Sequence, residues 1–241
     1  MIDEEGLSEV LDDSSSLRPV EPHIYSVFPA GEDVDISYDK KFGFFYDLVA
    51  CSPAYNRVVW GYSTREYHSF SLAALRSSSA GWVLDAGCGS LAFTAKAYAE
   101  YSDRPVVLLD RSLRLLRMAK ARLKKRCGEI PANLVLVHGD ALRLPFNPRS
   151  FTTIISLNLL HVFEDIEAAL RELKRVLADG GTISLTTLVE NDRLADRYLH
   201  MWGRAGELIP RTVDEVRTAF ETVELPAECH TRGNLAFFQC R

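Results

Sequence analysis

Asp85, Asp110 and Asp140 each stand at the end of a short apolar run, in VLDAGCGS, VVLLDRS and LVHGDA, and Asn158 ends a fourth, FTTIISLN. A carboxylate placed there can hold ribose hydroxyls or pair with an ammonium group, and neighbouring glycines let the backbone turn tightly and approach a ligand closely. Gly87 and Gly89 have the G-x-G spacing of such a turn. Asp110 follows them by about 20 residues, the interval at which an acid can bond both hydroxyls of a ribose. The four positions together suit one adenosine-like ligand. Its identity stays open at this level, because Gly87-x-Gly89-x-x-Ala92 also satisfies the dinucleotide pattern of an NAD(P)-dependent oxidoreductase. Two features favour another nucleotide: Asp85, just before the loop, suits an ammonium-bearing ligand but would repel a pyrophosphate, and no Tyr-x-x-x-Lys pair is present. Leu91 occupies the place of a third glycine: it either narrows the pocket, as in a degenerate chain that no longer binds, or turns inward as the first apolar residue of the next helix, and the second is the expectation. His161, in LNLLHVFED, lies just past the fourth run. Its side chain has the unperturbed pKa best suited to removing a proton near neutrality, so it is the candidate general base. The plainer alternative is a histidine bonded to backbone.

These residues must be carried by alternating strands and helices. The runs WVLDA, PVVLLD, NLVLVHGDA, FTTIISLN and GTISLTTL read as buried strands. Between them lie LAFTAKAYAEY, RSLRLLRMAKARLKKRCG and EDIEAALRELKRVLADGG, the last with Ile166, Ala169, Leu170, Leu173, Val176 and Leu177 at helical spacing before Gly180 and Gly181. Such alternation implies a parallel, doubly wound sheet, whose ligands lie beyond the carboxyl ends of the strands. The chain ends differently. RTVDEVRTAFE carries a capping box at Thr212 and Glu215, and TVELPAECH and LAFFQC are joined by TRGN alone, too short for a crossover, so they form an antiparallel hairpin at one edge.

Hydrophobic residues make up 47% and charged residues 25% of the chain, and no apolar run nears the ~20 residues of a membrane span. A net charge of −5 argues against a nucleic-acid partner. Five cysteines, none in C-x-x-C spacing, suggest neither a disulfide framework nor a zinc site, and fit a reduced, cytoplasmic setting. No metal is expected. Residues 1–22, acidic and serine-rich and without a secretion signal, are expected to form a mobile tail.

VLDAGCGS, VVLLDRSLRLLRMAKARL, LVHGDALRLPF, FTTIISLNLLHVFED and LRELKRVLADGGTISL, in that order, resemble the motifs of class I S-adenosylmethionine-dependent methyltransferases. The similarity spans about residues 46–188 and is nearest to the branch of the ubiquinone and menaquinone biosynthesis methyltransferases. The resemblance implies an α/β, mostly parallel, seven-stranded Rossmann-like sheet with an antiparallel last strand, over residues 81–241. It also implies an N-terminal helical lid in residues 23–80, with Tyr46, Tyr55 and Trp60 as wall residues. The implied cofactor is S-adenosylmethionine, leaving as S-adenosylhomocysteine. Its implied contacts are Tyr46, Asp85, Gly87, Cys88, Gly89, Asp110, Arg111, Asp140, Ala141 and Asn158, with His161 beside the methyl group. The implied reaction is in-line methyl transfer to a small molecule. A fold relative that keeps the cofactor structurally, for binding or cyclisation, is a further alternative. The oligomeric state is open, a homodimer among the possibilities.

Overall fold

The computed structural model describes residues 2, 4–29, 52–77, 80–101 and 103–241. A short helix, α1 (Glu4–Ser8), leads to a hairpin of β1 (Arg18–Glu21) and β2 (Ile24–Ser26). Helix α2 (Pro53–Tyr55) runs into a π-helical turn, Asn56–Trp60, that stops at Gly61 with φ +74°, and α3 (Arg65–Ser77) follows. The alternating part is β3 (Trp82–Ala86), α4 (Ala95–Ala99), β4 (Val106–Asp110), α5 (Leu113–Cys127), β5 (Leu134–His138), β6 (Phe151–Leu157), α6 (Ile166–Val176) and β7 (Leu177–Leu188). Helices α7 (Asp196–Arg204) and α8 (Val213–Thr222) precede the closing hairpin of β8 (Ala227–Arg232) and β9 (Leu235–Cys240).

The described strands form one sheet in the order β1-β2-β5-β4-β3-β6-β7-β9-β8. Pairing is parallel from β2 through β7 and antiparallel for β1 on β2, β9 on β7 and β8 on β9. Strands β4 and β5 are buried along their whole length, and successive residues serve opposite faces. Val107 and Leu109 join one core cluster and Val106 and Leu108 the other, as expected of a parallel sheet covered on both sides. The strand order reverses between β3 and β6, so their carboxyl ends border the crevice where such sheets bind ligands.

Local signals set the helix ends. Ser112 and Asp165 accept N–H bonds at the starts of α5 and α6, Gly128 ends α5 with φ +82°, and the Thr212–Glu215 capping box opens α8. Helix α6 buries Ile166, Ala169, Leu170, Leu173 and Val176.

Three expectations are corrected. The sheet has nine strands, not seven, because β1 and β2 extend it beyond β5. The same hairpin removes most of the supposed tail. Leu7 and Val10 are buried in the core, and β2 pairs with β5, since burying these apolar side chains outweighs the acidic, serine-rich character around them. Finally, Gly180 and Gly181 do not end α6, which stops at Val176. They lie within β7, where Gly180 takes φ +71° and the pairing with β6 slips between Phe151 and Thr153.

Candidate active site

Asp85, one residue before the end of β3, is 1% exposed. The Tyr98 hydroxyl, from α4, donates to its Oδ2 at 2.6 Å, while Oδ1 has no partner among the described residues. Burial raises the carboxyl pKa to about 7, against the Tyr98 bond and helped by nearby Asp110. After β3 the chain turns through Gly87 (φ +75°) and Gly89 (φ +56°), and the N–H groups of Gly87 and Cys88 both donate to the Leu109 carbonyl. A Cβ on Gly87 would lie 2.8 Å from the Leu159 side chain, which would have to shift, and the backbone angle itself favours glycine there. Cys88 is a poor nucleophile, its thiol pushed well up by burial and by the two acids.

Leu91 also adopts a left-handed backbone, φ +54°, and is 2% exposed within the cluster that includes Ala95 and Tyr98. The expected inward turn is therefore present, but Leu91 is not a helical residue, since α4 begins at Ala95. A conformation costing a non-glycine residue about 1–2 kcal/mol is held by burial of its side chain.

Asp110 accepts from the Gly89 N–H at Oδ2 and from the Ser112 N–H at Oδ1, both at 2.8 Å, and so fixes the glycine loop and the start of α5 together. Asp140 accepts from Leu142 N–H at 2.9 Å and forms an ion pair with Arg111 at 3.3 Å, beside buried Ala141. The N-terminal hairpin braces this side. The Arg111 carbonyl can only accept, so His138 Nε2–H donates to it at 3.0 Å, and His138 Nδ1 accepts from the Ser26 hydroxyl at 3.0 Å.

Asn158, with φ +55°, begins a chain of hydrogen bonds on the other side. Its Nδ2 donates to Tyr67, Tyr67 donates to Tyr62, and Tyr62 donates to Asn56 Oδ1, each at 2.6 Å. Asn56 Nδ2 then donates to the Ser52 carbonyl at 2.9 Å. The carbonyl at its end fixes the direction of every bond. The Tyr67 ring stacks on Phe93, next to the glycine loop, with centroids 5.3 Å apart.

His161 is buried, and its Nδ1 faces two donors, the Leu188 N–H at 3.4 Å and the Thr187 hydroxyl at 3.3 Å. The backbone donor places the ring proton on Nε2. Burial, with Arg211 nearby, lowers the pKa to about 4. The imidazole is thus neutral, a hydrogen donor on its remaining side and a weak base, which favours a positioning role over the expected general base.

A cavity of about 520 Å³ brings these groups together. Asp85, Gly87, Cys88, Gly89, Asp110, Arg111, Asp140, Ala141, Asn158 and His161 all line it. Of the expected wall residues Trp60 lines it, whereas the Tyr55 hydroxyl hydrogen-bonds the Trp202 indole. Tyr46 lies outside the described residues. Sequence reasoning missed Asn56, Tyr62, Tyr67 and Phe93, which form the roof; the aromatic density of GYSTREY was the only trace of the two tyrosines.

Acids on neighbouring parallel strand ends, around a glycine loop at the reversal of strand order, define a nucleotide site in a Rossmann-like α/β protein. Residues 83–181 match a family described as a methyltransferase domain. The demethylmenaquinone methyltransferase of Roseiflexus castenholzii is 30% identical over 166 residues, covering 65% of this chain and 67% of that protein. Its counterpart in Roseiflexus sp. (strain RS-1) is 31% identical over 140 residues, covering 54% and 56%, so the chain spans little more than half of that relative. Among solved structures, the YcgJ protein from Bacillus subtilis shares the fold at a TM-score of 0.55 and 24% identity, over 68% of this chain and 71% of that one. The chain belongs to the class I S-adenosylmethionine-dependent methyltransferases, and within them it is related to the menaquinone and ubiquinone biosynthesis branch.

Proposed function

We propose that the cavity binds S-adenosylmethionine and that the chain transfers its methyl group to a small-molecule acceptor by in-line displacement. The observation that carries this reading is the buried Asp85 carboxylate with Oδ1 unpartnered at the cavity. The ammonium at the methionine end of the cofactor would supply that partner, where a pyrophosphate would be repelled. Asp85 and the 87–89 loop would then hold the methionine end, Asp110 the ribose, and Asp140 with Ala141 the adenine. Arg111 supports them through its ion pair with Asp140.

The bound cofactor supplies an electrophilic methyl on a sulfonium. The chain's residues orient the acceptor and exclude water. Trp60, Tyr62 and Tyr67 serve as the acceptor-side wall, and segment 52–67 as part of a lid. His161 holds the acceptor side in place. We place the protein in the cytoplasm, and among the described residues no helix is long and apolar enough to cross a membrane.

Titration calorimetry with S-adenosylmethionine, S-adenosylhomocysteine and NADH tests the cofactor. The first two should bind and the third should not; NADH binding alone would move the chain to the oxidoreductase alternative. A screen for S-adenosylhomocysteine release across phenols, quinols, amines and thiols then identifies the acceptor. Cofactor binding without turnover on any of them would favour the structural-cofactor alternative.

A further inference from the structure

We propose that α7, with the turn before it, is a docking face for an anionic lipid surface. Three stripes run side by side along it. Ala195, Leu199 and Trp202 recur at i, i+4 and i+7; the first two belong to the core cluster beneath, and the Trp202 indole bonds Tyr55. One residue earlier in each turn come Leu194, Tyr198 and Met201, which are 84%, 46% and 50% exposed. One residue earlier again come Arg193, Arg197, His200 and Arg204, all exposed. The spacing puts each set on one face, so the exposed apolar stripe lies between a buried one and a basic one. Val58, 81% exposed, and exposed Arg57 continue the pattern on the segment against which α7 packs.

Charge decides the occupant. Arg57, Arg193, Arg197 and Arg204 pair with no carboxylate among the described residues, although the whole chain carries −5. The acids of the stretch are fewer: Asp192, exposed beside Arg193, and Asp196, which is turned toward the Asn191 and Arg193 N–H groups and Asn234 Nδ2. His200 is held by Glu190. Apolar side chains this exposed along one helix face, edged by guanidinium groups, match the plane where acyl chains meet headgroups. Gly206 and Glu207, just after α7, line the cavity, so the face borders the site.

Cosedimentation of the intact chain with vesicles of phosphatidylglycerol and phosphatidylcholine in equal parts, or of phosphatidylcholine alone, tests this. Anionic vesicles should bind at least about tenfold more strongly, and high salt should abolish the difference, as expected when each arginine near an anionic surface contributes about fivefold. Leu194→Asp with Met201→Asp, and separately Arg197→Glu with Arg204→Glu, should each reduce binding by about tenfold or more. Cofactor affinity should not change in either pair, which reports that the variants remain folded. Equal binding to both vesicle types overturns the proposal, as does full binding by both variant pairs. Capture by an acidic polypeptide such as polyglutamate without vesicle binding also overturns it, and marks the face as a protein contact.

Discussion

The floor and the roof of the cavity are built by different physics. The floor is set by strand ends: Asp85 and Asp110 stand on neighbouring parallel strands and Asp140 just past the next one. Backbone N–H groups fix the carboxylates of Asp110 and Asp140, those of Ser112 and Leu142 from two residues further along the chain and that of Gly89 from the turn after the adjoining strand. The roof is set by long-range hydrogen bonds that join Asn158 to Tyr67, 91 residues away in sequence, and through it to Tyr62 and Asn56. A floor of this kind can be read from short motifs, whereas a roof of this kind exists only once the fold has formed. The two also differ in charge. The floor keeps a buried acid whose pKa is raised, and the roof side keeps a buried histidine whose pKa is lowered.

That difference makes the largest prediction. Without ligand, Asp85 holds its proton up to about pH 7, well above its ordinary value of 3.8. Its stabilising protonated form is complete at low pH and is lost as pH rises from about 4 to 7, at up to about 1.4 kcal/mol per pH unit. His161 has the opposite sign: its folded pKa of about 4 lies below 6.5, so its contribution is complete above 6.5 and is lost as pH falls toward 4. The two slopes oppose each other between about pH 4 and 6.5. Urea unfolding across that range should show a shallow profile for the parent. Asp85→Asn should leave stability rising with pH, and His161→Gln should leave it falling. Parallel profiles for the two variants would refute the assignment of opposed charges to floor and roof.

Next in size, Asp110→Ala should weaken S-adenosylmethionine binding by about 1–3 kcal/mol, because it removes a charged acceptor and frees the Gly89 and Ser112 N–H groups it holds. Calorimetry on the folded variant gives the answer, and unchanged affinity would remove Asp110 from the cofactor site.

Leu91→Gly separates backbone from side chain within the floor. Glycine relieves a left-handed conformation worth about 1–2 kcal/mol but removes a buried leucine worth about 2–5 kcal/mol. Stability should fall by a net ~1–3 kcal/mol while cofactor affinity stays within about tenfold. A gain in cofactor affinity beyond that would show that the leucine narrows the site.

The fate of these residues shows what the sequence could and could not reveal. Asp85, Asp110, Asp140 and Asn158 were legible because strand ends and their spacing are local. Leu91 was half legible: its inward turn follows from apolarity, but its φ depends on how the loop packs. The β1–β2 hairpin escaped notice because Pro19, Pro22 and a serine-rich approach break the alternation that marks strands. Tyr62 and Tyr67 were visible only as aromatics, since nothing near them in sequence indicates that Asn158 completes their chain.

On the roof, Tyr67→Phe keeps the ring stacked on Phe93 and deletes only the hydroxyl that takes the Asn158 bond and passes one to Tyr62. Stability should fall by about 1–2 kcal/mol, and kcat should fall more than cofactor affinity does. Loss of cofactor affinity alone would assign Tyr67 to the floor.

The smallest effect is expected at His161, the residue first considered for proton removal. With its pKa near 4 the imidazole is unprotonated throughout the neutral range, so the charge is right for a base. Its basicity is not: a group that binds a proton so weakly provides little driving force for taking one from an acceptor near pH 7. Its geometry also opposes the role, since Nδ1 already accepts from the Leu188 N–H and Nε2 carries the proton. His161→Ala should therefore lower kcat by less than about tenfold, below the roughly 10²- to 10⁴-fold expected on losing a general base. The loss should be accompanied by lower stability, because Leu188 N–H and Thr187 lose a buried partner. The pH–rate profile of the parent should show no inflection near 6.5 that the variant lacks. A fall of about 10²-fold or more in kcat, with cofactor affinity and melting temperature unchanged, would restore proton removal to His161. It would also mean that acceptor binding reorganises the contacts among His161, Thr187 and Leu188, which sets the roof further apart from a floor whose carboxylates are already in place.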